Sequence, residues 1–291
     1  MLPDKKKYNS KEALAGYLFI SPSLIGFAVF FIIPFIFSLY YCFTSGIGRT
    51  SFVGLGNFIS LFQSKSFLLA LKNTILFGSI SVPAIIAVSF LTALLLTARI
   101  RGLSYFRTFY IIPLIIPVAS VILVWEIIFD QYGILNNLLV NLGSGSVQWL
   151  QGKWSVVVLI MLYIWKNCGY NIILFVAGIN NIPGIYYESA FIDGAGPIRC
   201  MISITIPHLI PTTFFVFIMS IINSFKVFKE AYLLAGSYPD TNIYLLQHFM
   251  NNNFFNLSYQ RLTTAAFTIS ALIFILVFIM FRFEKKFTGN L

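Results

Sequence analysis

The stretch YYESAFIDGAGPIRCMISITIPHLIP, residues 186–211, differs from the sequence on either side of it. It carries the carboxylates Glu188 and Asp193, an arginine and repeated glycines and prolines, whereas its flanks are long runs of Ile, Phe, Leu and Val. Burial of unpaired charges in an apolar environment is costly, so a polar, broken segment of this length must lie outside it. The stretch therefore predicts a structured element at the edge of an apolar protein.

The composition of the 291-residue chain indicates a membrane protein. Hydrophobic residues make up 58% of it and charged residues 10%, whereas a soluble domain has roughly 25% charged residues. The net charge of +10 does not indicate nucleic-acid binding, because the basic residues lie in short loops between apolar runs and not on one soluble face. The scattered Cys42, Cys168 and Cys200 lack metal or redox spacing, so we expect packing roles and no disulfide.

Six apolar runs approach the length of about 20 residues that crosses a bilayer as a helix. The first run is longer than the apolar core of a signal peptide, so we expect it to remain. Internal prolines are compatible with membrane helices and predict kinks at Pro34, Pro83, Pro113 and Pro117. The sequence predicts an all-α membrane protein with one transmembrane domain, 17–283, and spans at about 17–42, 72–97, 106–128, 154–178, 205–235 and 262–283.

The distribution of Lys and Arg predicts that both termini are cytoplasmic. With the N-terminus inside, and with residues at span ends counted on the adjoining side, 11 basic residues fall on the cytoplasmic side, 5 fall outside and 3 lie within spans, as the positive-inside rule requires. Residues 1–16 and 284–291 are then cytoplasmic tails, and the loop 179–207 is cytoplasmic. Two amphipathic pieces, NFISLFQSKSFLLALKN (57–73) and GILNNLLVNLG (133–143), are expected to lie flat at the outer interface.

Helix-breaking residues within the opening stretch predict a hairpin. Pro183 and Gly184 begin a short helix, the glycines at 194 and 196 end it, and Pro197 begins a second helix that reaches about Ile204. Two further prolines, at 207 and 211, then begin the fifth span. A simple connection needs only a few polar residues, so this helix–turn–helix predicts a docking element.

The segment ESAFIDGAGPIRCMISITIP (188–207) resembles the EAA loop of bacterial ABC importer permeases. That loop has Glu-Ala-Ala, three residues, Gly, nine residues and Ile-x-Leu-Pro. The matches are Glu188, Ala190, Gly194, Ile204 and Pro207, while Ser189 replaces an alanine and Ile206 a leucine.

Other motifs extend this resemblance along most of the chain. Asp193-Gly194-Ala195 is typical of the carbohydrate-importing branch, of the maltose and glycerol-phosphate type. The outer segment AGSYPDT (235–241) departs from the Thr-Gly-Gly-Gly-Pro run of that branch. Segments similar to the branch are GLGNF (54–58), NTILF (73–77), FRTFYIIPLIIP (106–117), YGILN (132–136) and WKNCGYNIILFVAGINNIPGIYYESA (165–190).

The resemblance implies the type I permease fold, in the bacterial cytoplasmic membrane, and import of a sugar or oligosaccharide by alternating access. It implies a second permease subunit, two ATP-binding subunits and an extracytoplasmic solute-binding protein as partners. ATP and Mg would bind the ATPase, so this chain is expected to be no enzyme and to hold no cofactor or metal. The residues implied to couple to the ATPase within the hairpin 183–207 are Glu188, Ser189, Ala190, Asp193, Gly194, Ala195, Ile204 and Pro207.

Polar residues within the spans are candidates for a substrate path, because polar groups at membrane depth usually face a cavity or a partner. Amide and aromatic side chains suit a sugar, but the asparagines are equally explained as interhelical contacts. Lys166 is expected to extend to an interface, and Lys226 to pair with Glu230 either at the outer interface or along the path. The path candidates are Tyr163, Trp165, Asn167, Tyr170, Asn171 and Asn223.

Two other classes of membrane protein fit the sequence less well. A secondary transporter or channel needs no cytoplasmic hairpin with this spacing, and inverted repeats are not apparent. A membrane enzyme needs a catalytic or metal-binding set that the motifs do not supply. Among importers, a polyol, glycerol phosphate or a peptide remains an alternative solute.

Overall fold

The computed structural model describes residues 10–46, 51–97 and 103–288. The predicted tails fall partly outside these ranges, at residues 1–9 and 289–291. Within them the chain is mostly helical and has one two-stranded antiparallel sheet that pairs Thr44 with Phe52. The elements are α1 Ser10–Phe27, a π-helix Ala28–Ile32, α2 Ile33–Phe43, β1 Thr44–Ser45, β2 Ser51–Phe52, α3 Gly56–Gln63, α4 Lys65–Thr97, α5 Leu103–Ile115, α6 Val118–Phe129, α7 Ile134–Asn141, α8 Gly152–Asn180, α9 Gly184–Ile192, α10 Pro197–Cys200, a π-helix Met201–Thr205, α11 Ile206–His208, α12 Ile210–Phe225, α13 Phe228–Ala235, α14 Leu246–Phe255 and α15 Tyr259–Thr288.

The prediction of six membrane-crossing helices is confirmed for the described part of the chain. Six helical segments there are long and apolar enough to cross a bilayer. The last helix continues to Thr288, so the predicted tail from 284 begins as helix. The segments are Ala13–Phe43, Lys65–Thr97, Val118–Asn141, Gly152–Asn180, Ile210–Ala235 and Tyr259–Arg282.

Two of the four prolines expected to mark kinks interrupt regular α-helix. The predicted third span, 106–128, is divided into α5 and α6 at residues 116–117, because Pro117 donates no amide hydrogen and disfavours helical geometry in the residue before it. Pro34 follows the π-helix Ala28–Ile32, a local widening that accommodates a missing hydrogen bond. Pro83 and Pro113 lie inside α4 and α5 without ending them.

The prediction that residues 57–73 form one flat outer piece is wrong. A short helix, α3, ends at Gln63, and Ser64 takes an extended conformation (ψ 114°). The long helix α4 then begins at Lys65, seven residues before the predicted start of the second span. The apolar residues after Ser64 continue the spanning helix, because Phe67 and Ala70 are buried against the rest of the bundle.

The core of the bundle lies between α4 and α8, with α5 and α12 against them. Phe77 packs edge-on against Tyr163 at 5.6 Å between ring centroids, and Phe90 packs similarly against Phe175 at 5.7 Å. A Cβ atom at Gly169 would clash with the carbonyl oxygen of Tyr110, so α5 and α8 touch backbone to backbone there. This close approach explains why α8 carries a glycine in its middle.

The outer surface of the bundle is apolar, as a lipid-facing protein requires. None of the first spanning segment, Ala13–Phe43, is buried over its most apolar window. Phe19 and Phe30 are among its exposed aromatic residues, and α2 contacts α15 through Phe35 and Phe267. The N-terminal helix is therefore open to lipid or to another subunit along most of its length.

Three asparagines hold the loops at the end of the bundle opposite α9. Asn57 donates to the carbonyl oxygens of Cys42 and Thr44 (3.0 and 2.9 Å), at the end of α2. Asn73 donates to Thr241 and Tyr244 carbonyls (2.6 and 3.0 Å). Each asparagine satisfies backbone groups that no helix satisfies. Asn136 donates to the carbonyls of Asp130, Gln131 and Val147 and accepts from the Val147 amide and the Trp149 indole.

Replacing Asn136 with alanine is expected to lower the free energy of unfolding by about 2 kcal/mol or more, because several buried backbone groups lose their partner. The measurement is thermal unfolding of the purified protein in detergent. Asn137→Ala is the matched control, since Asn137 is exposed and donates to Tyr132 at 3.3 Å. Equal stability of the two variants would contradict this role for Asn136.

Candidate functional site in the hairpin and at the junction of α8, α12 and α13

The hairpin between the fourth and fifth spans has a defined turn. Helix α9 ends at Ile192, and Gly194 adopts a positive φ of 79°. The amide of Gly194 donates to Phe191 (3.1 Å) and that of Ala195 donates to Ala190 (2.8 Å). These two bonds form a Schellman motif, in which the left-handed position favours glycine. The predicted break at Gly194 is thus a specific helix end.

The structure brings four of the sequence-predicted coupling residues together. A pocket of about 210 Å³ beside the turn is lined by Ala190, Asp193, Ala195 and Ile204, together with the basic residue Arg199. Glu188 and Ser189 are exposed on α9, Gly194 is exposed in the turn, and Pro207 is half-buried in α11. The pocket therefore has one carboxylate, Asp193, and one arginine in its lining, and Glu188 is exposed on α9.

The second half of the hairpin differs from the prediction. The helix that begins at Pro197 does not end near Ile204, but passes through the π-helix Met201–Thr205 and α11 toward α12. Leu209 makes a turn between α11 and α12 with φ −87° and ψ −1°. The π-helix accommodates Pro207, which has no amide hydrogen for the preceding turn. Consequently the second arm of the hairpin leads directly into the fifth span.

Two contacts attach α9 to this second arm. The hydroxyl groups of Tyr187 and Thr205 are hydrogen-bonded at 2.9 Å. The rings of Tyr186 and His208 lie 5.1 Å apart. These contacts join α9 to the arm that leads into α12.

The hairpin exposes apolar side chains beside its charges. Ile192 is 87% exposed, and Ile185, Phe191 and Ile198 are also exposed. Exposed apolar patches rimmed by polar residues mark interaction sites. Since Glu188 and Asp193 keep this element out of lipid, the patch has the composition of a protein-docking surface.

Two of the path candidates join helices. The hydroxyl of Tyr163 donates to the carbonyl of Ser220 (2.7 Å), and the Asn171 amide donates to the Ser220 hydroxyl (3.0 Å). Tyr163 and Asn171 are buried. The interhelical alternative therefore describes their contacts, which attach α8 to α12.

Two other candidates line one polar pocket. Asn167 and Asn223 border a space of about 350 Å³ at the junction of α8, α12 and α13. The same pocket is lined by Lys166, Lys226 and Glu230 among others. Trp165 is exposed, with its ring 6.2 Å from that of Trp125, and Tyr170 is half-buried; neither lines this pocket.

The expected behaviour of the membrane-depth charges is wrong in two respects. Lys166 does not extend to an interface but forms an ion pair with Glu230, and their side chains are only 17% and 7% exposed. Lys226, the expected i,i+4 partner of Glu230, is not the residue that pairs with it. Glu230 pairs with Lys166 on the neighbouring helix because Lys166 is largely buried and has no other compensating charge among the described residues. Lys226 is exposed and keeps its hydration without a partner.

The segment after α13 is attached to the bundle by polar contacts. The Asp240 carboxylate accepts the backbone amides of Asn242 (2.9 Å) and Gly152 (3.2 Å), and these bonds hold the pKa of Asp240 below its usual value. His248 of α14 is buried between Phe228 and Tyr244, with ring centroids 5.0 and 5.8 Å away. Its Nδ1 accepts the Leu245 amide at 3.2 Å.

Acidification is expected to destabilise this segment through His248. Burial lowers the pKa of His248 to about 4 from 6.5, so the unfolded chain takes up a proton first as the pH falls. The contribution is fully present above pH 6.5 and is lost between 6.5 and about 4, by about 3 kcal/mol in total. Thermal unfolding measured from pH 7 to pH 4.5 should show this loss.

The control for the histidine prediction uses His208, the other histidine of the chain. His248→Gln should reduce the pH dependence between 6.5 and 4.5, whereas His208→Gln, at an exposed position, should leave it unchanged. An unaltered pH profile in His248→Gln would refute the assignment.

Comparison with known proteins agrees with this architecture. Residues 105–289 match the family described as "Binding-protein-dependent transport system inner membrane component". The probable ABC transporter permease protein YesP of Bacillus subtilis is 32% identical, over 96% of this chain and 93% of its own length. The trehalose/maltose transport system permease protein MalF of Thermococcus litoralis is 34% identical, over 95% of this chain and 93% of its own length.

A solved structure shares the fold. The bacterial alginate ABC transporter, crystallised in complex with its alginate pentasaccharide-bound periplasmic protein, matches with a TM-score of 0.86, at 22% identity and over 98% of this chain and 99% of the other. Both named relatives are permease proteins. The chain belongs to the family of inner membrane components of binding-protein-dependent transport systems.

Proposed function

We propose that this chain is a membrane-spanning subunit of an ATP-driven sugar importer in the bacterial cytoplasmic membrane. Its termini and the hairpin 183–207 lie in the cytoplasm, where the hairpin docks into a separate ATPase. The loops held by the three asparagines lie outside, facing a solute-binding protein. The proposal rests on the exposed hairpin, in which α9 ends in a Schellman turn and the second arm continues into the fifth span.

The hairpin has the properties that coupling requires. The Schellman turn fixes its shape before docking, which reduces the ordering cost of association. The exposed isoleucines and Phe191 supply apolar area, and Glu188 supplies a charge at the edge of the contact. The contacts of α9 with Thr205 and His208 carry rigid-body motion of the hairpin into the bundle. ATP binding at the ATPase therefore shifts the bundle between inward-facing and outward-facing conformations.

The cargo class is supported by the named relatives. One carries trehalose and maltose in its name, and a structural neighbour is a bacterial ABC transporter involved in the import of the acidic polysaccharide alginate. The distribution of basic residues supports the proposed orientation. The complete machine contains this chain, a second permease, two ATPase subunits and an external binding protein, which delivers the sugar; ATP and Mg bind the ATPase subunits.

The test is uptake by vesicles that contain the complete complex. Labelled solute should enter only when ATP, the ATPase subunits and the binding protein are all present. Uptake that continues without the ATPase, driven by an ion gradient, would refute the proposal. The cargo class is tested by thermal shifts of the cognate binding protein, which should respond to oligosaccharides and not to amino acids or peptides.

A further inference from the structure

The pocket at the junction of α8, α12 and α13 has an excess of positive charge. Its lining contains three lysines, Lys166, Lys226 and Lys229, and one carboxylate, Glu230. Lys166 is neutralised by its ion pair with Glu230. Among the described residues no carboxylate lies within 4 Å of the other two lysines. Two positive charges therefore face one space without a protein counter-charge.

The backbone around these lysines is interrupted. Helix α12 ends at Phe225, α13 begins at Phe228, and residues 226–227 form a turn. Interrupted membrane helices expose backbone and polar side chains to a cavity, which is how many transporters build solute sites. The two lysines lie at and just after this break, where they are exposed.

The same pocket has unused hydrogen-bonding capacity. Glu230 is more than nine-tenths buried, and its Oε2 has no hydrogen-bond partner among the described residues, while Oε1 accepts from Lys166. A buried carboxylate oxygen without a partner calls for a donor, and Glu230 is one of the residues that line this pocket. Asn167, Asn223 and Gln247 add amide groups to the lining, and Phe228 adds an aromatic side chain.

We propose that this pocket binds the anionic group and an adjacent hydroxyl of a negatively charged sugar, an inference that rests on the proposed import function. Lys226 and Lys229 contact the carboxylate or phosphate of the sugar, and Glu230 accepts a hydroxyl hydrogen through Oε2. The volume of about 350 Å³ is in the range of small-ligand sites. The pocket thereby selects charged over neutral sugars after the binding protein has delivered them.

The experiment measures binding to the assembled complex in nanodiscs without the binding protein. Three probes are compared by equilibrium dialysis: digalacturonate, glucose 6-phosphate and maltose. At least one anionic probe should bind about tenfold or more tightly than maltose, and its affinity should fall with added NaCl. The double variant Lys226→Gln/Lys229→Gln should weaken that binding by about tenfold to a hundredfold.

The control variant is Lys153→Gln, which removes an exposed lysine at the start of α8, outside the pocket. It should bind all probes as the native complex does, and co-elution with the ATPase establishes that each variant is assembled. Preference for digalacturonate identifies the anionic group as a carboxylate, and preference for glucose 6-phosphate identifies a phosphate.

Several results would overturn the inference. These are maltose binding as tightly as the anionic probes, unchanged anion binding in the double variant, or no saturable anion binding up to about 10 mM. Uptake by the complete native complex distinguishes failure of this inference from failure of the proposed function. If the proposed function is wrong, that complex shows no ATP-driven uptake of any solute. Failure of this inference alone leaves uptake intact.

Discussion

Gly194→Val is expected to lower ATP-driven uptake by the complete complex about tenfold or more. Gly194 has a φ of 79° at the end of α9, a conformation that costs a β-branched residue about 1–3 kcal/mol. The variant must distort the turn that places Ala195 against Ala190, and the surface presented to the ATPase changes with it. The measurements are the initial uptake rate in vesicles and the amount of ATPase that co-purifies with the permease.

The neighbouring glycine provides a matched control. Gly196 has an ordinary φ of −77°, and a Cβ atom at either glycine would meet nothing within 4 Å. Gly196→Ala should therefore transport almost normally. Gly194→Asn should retain more activity than Gly194→Val, because asparagine tolerates the left-handed region. Native uptake by Gly194→Val would show that the turn geometry is not needed.

Lys166→Met is expected to destabilise the protein by about 3–5 kcal/mol, because it leaves Glu230 as a buried, uncompensated charge. Both side chains of the pair are largely buried, so solvent screens the interaction weakly. The pair joins α8 to α13, and its loss should loosen the packing between these two helices. Thermal unfolding in detergent at pH 7 measures the effect.

A double-mutant cycle separates the ion pair from the other contacts of the two residues. Lys166→Met/Glu230→Met should be more stable than Lys166→Met alone, because no isolated charge then remains buried. Lys72→Met, at an exposed position near the start of α4, is the control for loss of one lysine. If the double variant lost as much stability as Lys166→Met and Glu230→Met lose together, the ion pair would be contradicted.

The membrane-spanning architecture was predictable because it depends on composition and run length. Long apolar runs must become helices in lipid, since backbone groups have no other partners there. The turn at Gly194 was predictable for a local reason, because glycine after a short helix is the residue that best takes the left-handed position. Both signals are contained in a few consecutive residues.

The features that sequence reasoning missed depend on distant residues. Lys166 and Glu230 are 64 positions apart in the chain, and their pairing follows from how α8 and α13 meet. The sequence offered Lys226 as a nearer partner, and local spacing favoured it. Opposite charges within two apolar runs were the available signal, since both had to be compensated at membrane depth.

The roles of Asn57, Asn73 and Asn136 were also hidden, although each lies in a motif that carried the family resemblance. Their partners are backbone carbonyls up to 171 positions away, which no local pattern identifies. Similarly, Pro207 suggested the start of the fifth span, whereas a π-helix allows the preceding helix to continue through it. Which proline breaks a helix depends on how neighbouring turns satisfy the lost bond.

Photo-crosslinking in a transport-active complex shows whether the hairpin docks into the ATPase on the cytoplasmic side. Benzoylphenylalanine replaces Ile192 at the tip of α9 or Tyr238 in the loop after α13, two exposed positions on opposite ends of the bundle. The probe at position 192 should form an adduct with the ATPase, and the probe at position 238 should form one with the binding protein. An adduct between position 192 and the binding protein, or an ATPase adduct only at 238, would contradict this arrangement.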